Sequence, residues 1–318
     1  CHFYLHGEGY DNNDNWRDDV INAFGHTTVY SLALNAGITA TGSAAFTAYG
    51  RSYYTEDAAI TISGGDSEAP VGYQAGTFTG YALNRVPLVG STFDMPANDV
   101  RVSAMWDTID WAGSGTENDP YLIAYPSQMD LLALRVNAGA DYTGKYFKLA
   151  NDITYSYDGY GPTESNYTGI GTMFYDNNQA INENNPYLQP TFLGFNGTFD
   201  GNGKTISGIR MYERDYMMTM VTPAIFNVVS YPGVVKNLTV RDTRISAEAG
   251  AGGIASMVAG GSIENCISYA DLYVLKVADP MVTIGLAGGI VSEAMGGRIS
   301  NCTSYSTITI GDNVGSCV

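Results

Sequence analysis

Tyrosine and asparagine dominate one stretch of the chain, residues 154–191, which shows no hydrophobic periodicity. Tyrosine buries a large area at a low cost in conformational entropy, and asparagine adapts its hydrogen bonds to different partners. Tyrosine rings also stack on sugars. We therefore predict that this stretch binds a surface glycan or a protein; the alternative is that it covers one end or side of the fold. The candidate binding residues are Tyr155, Tyr157, Tyr160, Tyr167, Tyr175 and Tyr187.

A weak metal pattern lies near the start of the chain. Asp11, Asn13 and Asn15 alternate like the oxygen ligands of a calcium loop, with Asp18 or Asp19 as a later carboxylate. The glycine and the final glutamate of an EF-hand loop are absent, so a polar turn is the favoured interpretation and a structural Ca²⁺ ion the alternative. Cys1, His2 and His6 are too few ligands for a zinc site. We expect no other cofactor.

Charged residues offer two enzymatic alternatives. A glycoside hydrolase needs two carboxyl groups roughly 5–10 Å apart in a cleft. A polysaccharide lyase needs a base beside a neutralised uronate. The acidic candidates are Asp107, Asp110, Glu117 and Asp119, and the charges of the later repeats are Lys236, Arg241, Arg244, Glu264 and Arg298. The repeats carry no recurring acidic cluster, so we expect a non-enzymatic protein, with a carbohydrate-active enzyme as the alternative.

Composition limits the class of protein and its partners. The 318 residues include 15 Lys and Arg against 32 Asp and Glu, a net charge of −17, which argues against nucleic acid and anionic membranes as partners. The chain holds 38 glycines and 24 tyrosines among short β-branched runs, which indicates a mostly β protein. The sequence contains no run of about 18 apolar residues, which a membrane-spanning helix would need. The abrupt start at Cys1 favours a piece of a longer protein, or else a mature lipoprotein.

Two segments near the C-terminus repeat one pattern at an offset of 36 residues. Residues 252–272 read GGIASMVAGGSIENCISYADL, and residues 288–308 read GGIVSEAMGGRISNCTSYSTI. Self-similarity at such a period is typical of stacked supersecondary units. The tetrapeptide at 299–302 matches residues 263–266, then 235–238, then 206–209. We expect the apolar members to form interior ladders and Asn237, Asn265 and Asn301 to stack at a turn.

The cysteines of the last two repeats occupy equivalent positions. Stacking places Cys266 and Cys302 about 4.8 Å apart along the axis, a separation that permits a disulfide. Because their side chains point the same way, an unbridged ladder is the favoured prediction.

The chain divides into three predicted parts: a terminal segment at 1–26, a small β module at 27–106 and the repeat domain at 107–318. Strands are predicted at 29–34, 44–50, 58–63, 76–83 and 100–106 in the module, and at 146–149 beyond it. One helix is predicted within 120–139, with Ser127 and Asp130 as a capping box and Gly139 as its stop. Met129, Leu132 and Val136 share its apolar face.

Residues 110–318 resemble the GLUG-motif proteins of gut and oral bacteria. The resemblance rests on WAGSGTENDPYLI at 111–123, YTGKYFKL at 142–149, FNGTFDGNGKTI at 195–206 and the two repeats above. The chain departs from the family in the 154–191 insertion and at 224–226. Some members are metallopeptidases, but no HExxH is present here. Residues 27–106 are similar to small bacterial β repeat modules.

The resemblance implies an all-β fold, a right-handed parallel β-helix of the pectin-lyase-like kind with one short capping helix. It also implies an extracellular location on a bacterial cell surface and a role in adhesion. The expected partners are host or microbial glycans or proteins and neighbouring modules of the same longer protein. A pure spacer or filament subunit is the further alternative.

Overall fold

The computed structural model describes residues 29–35, 37–48, 51–67, 69, 72–84, 86–157, 164–175, 190–213, 222–248, 250–275 and 286–311. Contacts divide the chain into two compact units, with the division between Ile109 and Asp110. The described residues are mostly β, as predicted. Among them, no helix has the length and apolar character needed to cross a membrane.

The first unit contains two sheets. Its strands are β1 (Tyr30–Leu34), β2 (Ile38–Thr41), β3 (Phe46–Ala48), β4 (Arg51–Tyr54), β5 (Ala59–Gly64), β6 (Tyr73–Leu83), β7 (Val86–Leu88), β8 (Thr92–Asp94) and β9 (Val100–Thr108). One sheet has the order β3-β4-β1-β9-β6-β7 and the other β2-β5-β8. All five predicted strands occur, because their alternating apolar residues, such as Ile60 and Ile62, are buried. The short strands β2, β4, β7 and β8 were not predicted.

The second unit contains helix α1 (Pro126–Asn137), whose predicted face is confirmed. Met129, Leu132 and Val136 are buried in the same core as the strands that follow. The predicted capping box is wrong, because Tyr125 is the N-cap and no side chain caps it. Instead the Gln128 side chain accepts a hydrogen bond from the Ala124 amide, 2.8 Å away. Gly139, at φ +91°, ends the helix in a Schellman motif.

The strands of the second unit, one before the helix and the rest after it, mostly stack in successive rungs. They are β10 (Tyr121–Ile123), β11 (Tyr146–Leu149), β12 (Ile153–Thr154), β13 (Thr172–Tyr175), β14 (Pro190–Leu193), β15 (Thr198–Asp200), β16 (Thr205–Ser207), β17 (Arg210–Glu213), β18 (Phe226–Ser230), β19 (Val234–Lys236), β20 (Thr239–Arg241), β21 (Arg244–Ala247), β22 (Gly250–Gly252), β23 (Ala255–Ala259), β24 (Ser262–Glu264), β25 (Ile267–Ser268), β26 (Asp271–Leu275), β27 (Leu286–Gly288), β28 (Val291–Met295), β29 (Arg298–Ser300), β30 (Thr303–Ser304) and β31 (Thr307–Gly311).

Each rung gives one strand to each of several parallel sheets. We name the three used below sheet 1 (β10-β11-β15-β19-β24-β29), sheet 2 (β12-β16-β20-β25-β30) and sheet 3 (β17-β21-β26-β31). Strands β18, β23 and β28 form a further parallel sheet, and β22 pairs with β27. The antiparallel pair β13–β14 lies within the predicted 154–191 insertion and at its end.

Side chains of like character lie above one another inside the stack. In sheet 1 the central column runs through Phe147, Phe199, Val235, Ile263 and Ile299. All of these except Ile299 are fully buried. A buried side chain of this size contributes about 1.5–3 kcal/mol, so the columns account for much of the stability of the stack. The ladder predicted for residues 235, 263 and 299 is confirmed.

The fourth predicted member of that ladder, Ile206, is wrong. Ile206 pairs with Val240 in sheet 2, whereas the partner of Val235 is Phe199. The cause is the corner at 201–204, where Asn202 and Gly203 adopt φ of +53° and +69°. This corner is two residues longer than its equivalent in the next rung, so the offset changes from 36 in sheet 1 to 34 in sheet 2.

The predicted asparagine stack is present at the corner after sheet 1. Asn237, Asn265 and Asn301 have φ of +54°, +53° and +53°, a conformation that asparagine tolerates better than most residues. The Asn265 side-chain amide donates to Asn237 Oδ1 at 3.3 Å, and Asn237 donates to Asp200 Oδ1 at 2.9 Å. The side chains of Asn237 and Asn265 therefore bond to neighbouring side chains along the stack.

Matched truncations in one column test the stack. Ile263 is 0% exposed and Ile299, one rung further on, is 45% exposed. Ile263→Ala is expected to lower the free energy of unfolding by about 2–5 kcal/mol, because it opens a cavity between two rungs. Ile299→Ala, measured by the same urea titration, is expected to cost about 1 kcal/mol or less, since half-exposed sites lose little burial. Equal losses would contradict the stacked arrangement.

Candidate ligand-binding surface

Two of the predicted binding tyrosines are core residues. Tyr155 and Tyr167 are 6% and 1% exposed, and their ring centroids lie 5.3 Å apart. The Tyr155 hydroxyl donates to the Pro126 carbonyl and to Asp130, and the Tyr167 hydroxyl donates to the Ile225 carbonyl. The prediction that these two residues contact a ligand is wrong, because the segment carrying them packs into the core rather than leaving it.

The other predicted site residues fall in different places. Tyr157 is exposed and contacts Arg210. Tyr175 ends β13. The remaining candidates lie outside the described residues: Tyr160 and Tyr187, and the calcium candidates Asp11, Asn13 and Asn15. Among the residues that the structure does describe, no group of three or more His, Cys, Asp or Glu side chains could hold a metal ion.

Arginine and tyrosine side chains do meet on the outside of the stack, where sheet 2 turns into sheet 3. We call this surface the arginine–tyrosine strip; its members are Tyr157, Arg210, Arg241, Arg244, Tyr269, Tyr273 and Tyr305. The register of sheets 2 and 3 brings them together, because parallel pairing places the corner residues of each rung directly above those of the preceding rung. The strip spans successive rungs from β12 to β31.

The middle of the strip is a column of three planar side chains. The Arg241 guanidinium lies 3.8 Å from the ring centroid of Tyr269. On its other side, Tyr269 stacks on Tyr305 with centroids 4.9 Å apart and planes 15° from parallel. This separation matches the spacing of paired strands, about 4.8 Å. Both faces of Tyr269 are therefore covered, whereas Tyr305 is covered on one face and 63% exposed.

A second group extends the strip toward the first rungs. Arg210 lies 3.9 Å from the ring centroid of Tyr157 and forms an ion pair with Asp242 at 2.9 Å. It also donates to the Asp242 carbonyl at 2.6 Å, so its geometry is held by two contacts to one residue. In the adjoining column of sheet 3, Arg244 lies 4.5 Å from the Tyr273 ring. Cation–π contacts of this kind are worth about 0.5–1 kcal/mol at exposed sites.

Arg241 differs from Arg210 in having unused donors. Within the described part of the chain its guanidinium has the Tyr269 face as its contact and makes no hydrogen bond or ion pair. Arginine carries five N–H donors that suit carboxylate and sulfate-like oxygens. The strip therefore exposes hydrogen-bond donors at Arg241 and an aromatic ring at Tyr305.

The carboxylates considered for hydrolysis are partly engaged elsewhere. Asp110 accepts two hydrogen bonds from Arg135, at 3.1 and 3.2 Å, and the Arg135 guanidinium also covers Trp111. These bonds from Arg135 hold the pKa of Asp110 below its usual value. Asp119 accepts a hydrogen bond from the Ser114 amide at 2.9 Å and closes the turn before β10. Both carboxylates stabilise the start of the second unit.

A small cleft lies between the end of α1 and β14. Its volume is about 150 Å³, and its walls include Val136, Phe192 and Leu193. The acidic group at its rim, Asp141, accepts hydrogen bonds from the Thr143 amide and the Asn196 side chain. Because of these bonds, the Thr143 amide above all, the pKa of Asp141 is lowered. Because the carboxylate of the cleft is already hydrogen-bonded within the protein, the arginine–tyrosine strip is the stronger candidate for a binding site.

Cys266 and Cys302 are free thiols in neighbouring rungs, as predicted. The Cys266 amide lies 3.4 Å from the Cys302 sulfur. Hydrogen bonds from the Cys266 thiol and amide lower the pKa of Cys302 to about 6. The same thiol–thiol bond, together with burial, raises the pKa of Cys266. Cys302, which is partly exposed, is therefore the reactive member of the pair.

The strip was missed in the sequence although a signal was present. Arg241, Tyr269 and Tyr305 each lie four residues after a ladder asparagine, at Asn237, Asn265 and Asn301 respectively. Extending the ladder by four positions would have predicted the column. The contact between Tyr157 and Arg210 has no such signal. Tyr157 precedes the longer corner at 201–204, which changes the spacing between equivalent residues of successive rungs.

Comparisons of the chain with protein-family models, with curated proteins and with solved structures found no match. The GLUG resemblance therefore rests on the sequence motifs alone.

The thiol pair yields a test based on pH. Iodoacetamide is expected to alkylate Cys302 with a rate that rises through about pH 6 and is level by pH 8, because the thiolate already predominates at neutral pH. Cys266 is expected to stay unmodified until the protein unfolds. Peptide mass mapping separates both from Cys1 and Cys317. A Cys302 rate that keeps rising through about pH 8.5, as for an ordinary thiol, or equal rates at both cysteines, would contradict this arrangement.

Proposed function

We propose that the second unit is a right-handed parallel β-helix of the GLUG type, and that the chain is a non-enzymatic, extracellular protein of a bacterial cell surface that displays a binding surface. One strand per rung in each of several parallel sheets supports the β-helix. Its hand follows from the strong preference of parallel crossover connections for the right-handed form. The sequence resemblance supports the location and the adhesive role.

The observation that carries the binding role is the arginine–tyrosine strip. The side chains of the interior columns are buried. The asparagine side chains bond to one another and to Asp200. By contrast, the strip presents on the outside the donors of Arg241, which bond to no residue that the structure describes, and the ring of Tyr305, which is 63% exposed. A polar rim with an exposed aromatic anchor suits recognition of a glycan or a protein loop.

The described carboxylates favour binding over catalysis. Asp110 and Asp119 hold the first turn of the second unit, and Asp242 holds Arg210. A hydrolase would need a pair of free carboxyl groups facing one cleft. The enzymatic alternative therefore draws no support from these residues.

Binding and catalysis are tested together on the whole chain. Purified protein applied to mucin and to a glycan array is expected to bind saturably. Incubation with acidic and neutral polysaccharides is expected to release no reducing sugar and no unsaturated product. Release of either product would contradict the non-enzymatic proposal. Absence of binding to every surface would favour a spacer role instead.

A further inference from the structure

The cleft between the end of α1 and β14 has the size of one small ring. Its volume is about 150 Å³, and a protein cavity of about that volume holds a benzene molecule. The apolar part of its lining includes Val136, Phe192 and Leu193. A six-membered ring with an apolar face therefore fits the cleft both in volume and in character.

The polar part of the lining comes from three neighbouring segments of the chain. Asp141 follows α1, Asn196 follows β14, and Ser230 ends β18. The Asn196 side chain donates to Asp141 Oδ1 at 2.8 Å and accepts a hydrogen bond from the Tyr142 amide, also at 2.8 Å. The carboxylate and the amide are thus held in place before a ligand arrives, which lowers the entropy cost of binding.

These polar groups keep hydrogen-bonding capacity for a ligand. The bonds from the Thr143 amide and from Asn196 both end on Oδ1 of Asp141, whereas a carboxylate has about four acceptor positions. The Asn196 amide group has two N–H donors, and one of them is used by Asp141. Within the described residues the Ser230 hydroxyl makes no hydrogen bond. It lies over Gly194, where a Cβ atom would collide with the hydroxyl oxygen.

An acceptor and a donor placed side by side select a hydroxyl group. A carboxylate or sulfate can only accept hydrogen bonds and an ammonium group can only donate them, whereas a hydroxyl does both. The pKa of Asp141 is lowered, chiefly by the Thr143 amide, so this side chain is negatively charged at neutral pH and repels acidic ligands. A pyranose combines several hydroxyl groups with an apolar C–H face.

We propose that this cleft binds one uncharged pyranose ring of a glycan. Sugar hydroxyl groups donate to Asp141, accept from Asn196 and bond to Ser230, and the C–H face of the ring packs on Phe192 and Leu193. The cleft shares no residue with the arginine–tyrosine strip, so this site goes beyond the proposed function and does not require binding at the strip.

The test is a ligand-observed NMR titration of the full chain with five methyl glycosides. Those of glucose, galactose and mannose are uncharged, that of glucuronic acid is anionic, and that of glucosamine is cationic. The two test variants are Asp141→Asn, which keeps an oxygen for the Thr143 amide, and Ser230→Ala.

Two further variants are the matched controls. Asp152→Asn changes an exposed aspartate that likewise accepts a backbone hydrogen bond, from the Thr205 amide at 2.8 Å. Ser300→Ala changes a half-buried serine of sheet 1. Melting curves check that every variant is folded.

The unaltered chain and both controls are expected to bind at least one uncharged glycoside with a dissociation constant of about 1 mM, as for a single small ring. The glucuronide is expected to bind at least about tenfold more weakly, because of like-charge repulsion. Asp141→Asn is expected to weaken the uncharged glycoside about tenfold and to narrow its advantage over the glucuronide. Ser230→Ala is expected to weaken it about threefold or more, as loss of a hydrogen bond implies.

Three results would overturn the inference: unchanged affinity in both test variants, tighter binding of the glucuronide or the glucosaminide than of every uncharged glycoside, or binding of none of the five sugars. Each leaves the proposed function standing if the chain still binds mucin or the glycan array. If the chain binds neither those surfaces nor any of the five sugars, both proposals fail.

Discussion

Backbone hydrogen bonding between parallel strands of successive rungs is the constraint on which the rest of the second unit depends. Parallel pairing places residue above residue, so a side chain must be compatible with its counterparts in the rungs on either side. Phe199, Val235 and Ile263 meet this condition inside sheet 1, and Asn237 and Asn265 meet it at the corner. Because each rung is covered only by its neighbours, an interior substitution affects three rungs at once, whereas the last described rung leaves Ile299, Ile308 and Ile310 exposed.

The same constraint shapes the outer surface. Planar side chains in one outward column stack at the strand spacing, as Tyr269 and Tyr305 do at 4.9 Å. Stacking stabilises the column but covers the ring faces within it. Donors stay available where a guanidinium stacks by its face, as Arg241 does on Tyr269, which is why this surface carries the functional proposal.

Much of the stack was predictable because its signal is repetition. The offsets of 36 and 28 residues placed Val235, Ile263 and Ile299 in one column, and the pattern of α1 placed Met129 and Leu132 in the core. The failures have physical causes. Ile206 was misplaced because the corner at 201–204 changes the offset between sheets. The burial of Tyr155 and Tyr167 was not predictable, because composition does not distinguish a tyrosine that bonds inside a core from one that binds a ligand outside it.

Register is the central claim, and a crystal structure of the chain measures it directly. We expect the Cα atom of Ile263 to lie about 5 Å from those of Val235 and Ile299, Ile206 to lie beside Val240, and the Tyr269 ring to lie between Arg241 and Tyr305. A structure in which Ile206 pairs with Val235, or in which Ile263 faces solvent, would contradict the stacked arrangement, because the interior columns and the strip derive from the same pairing.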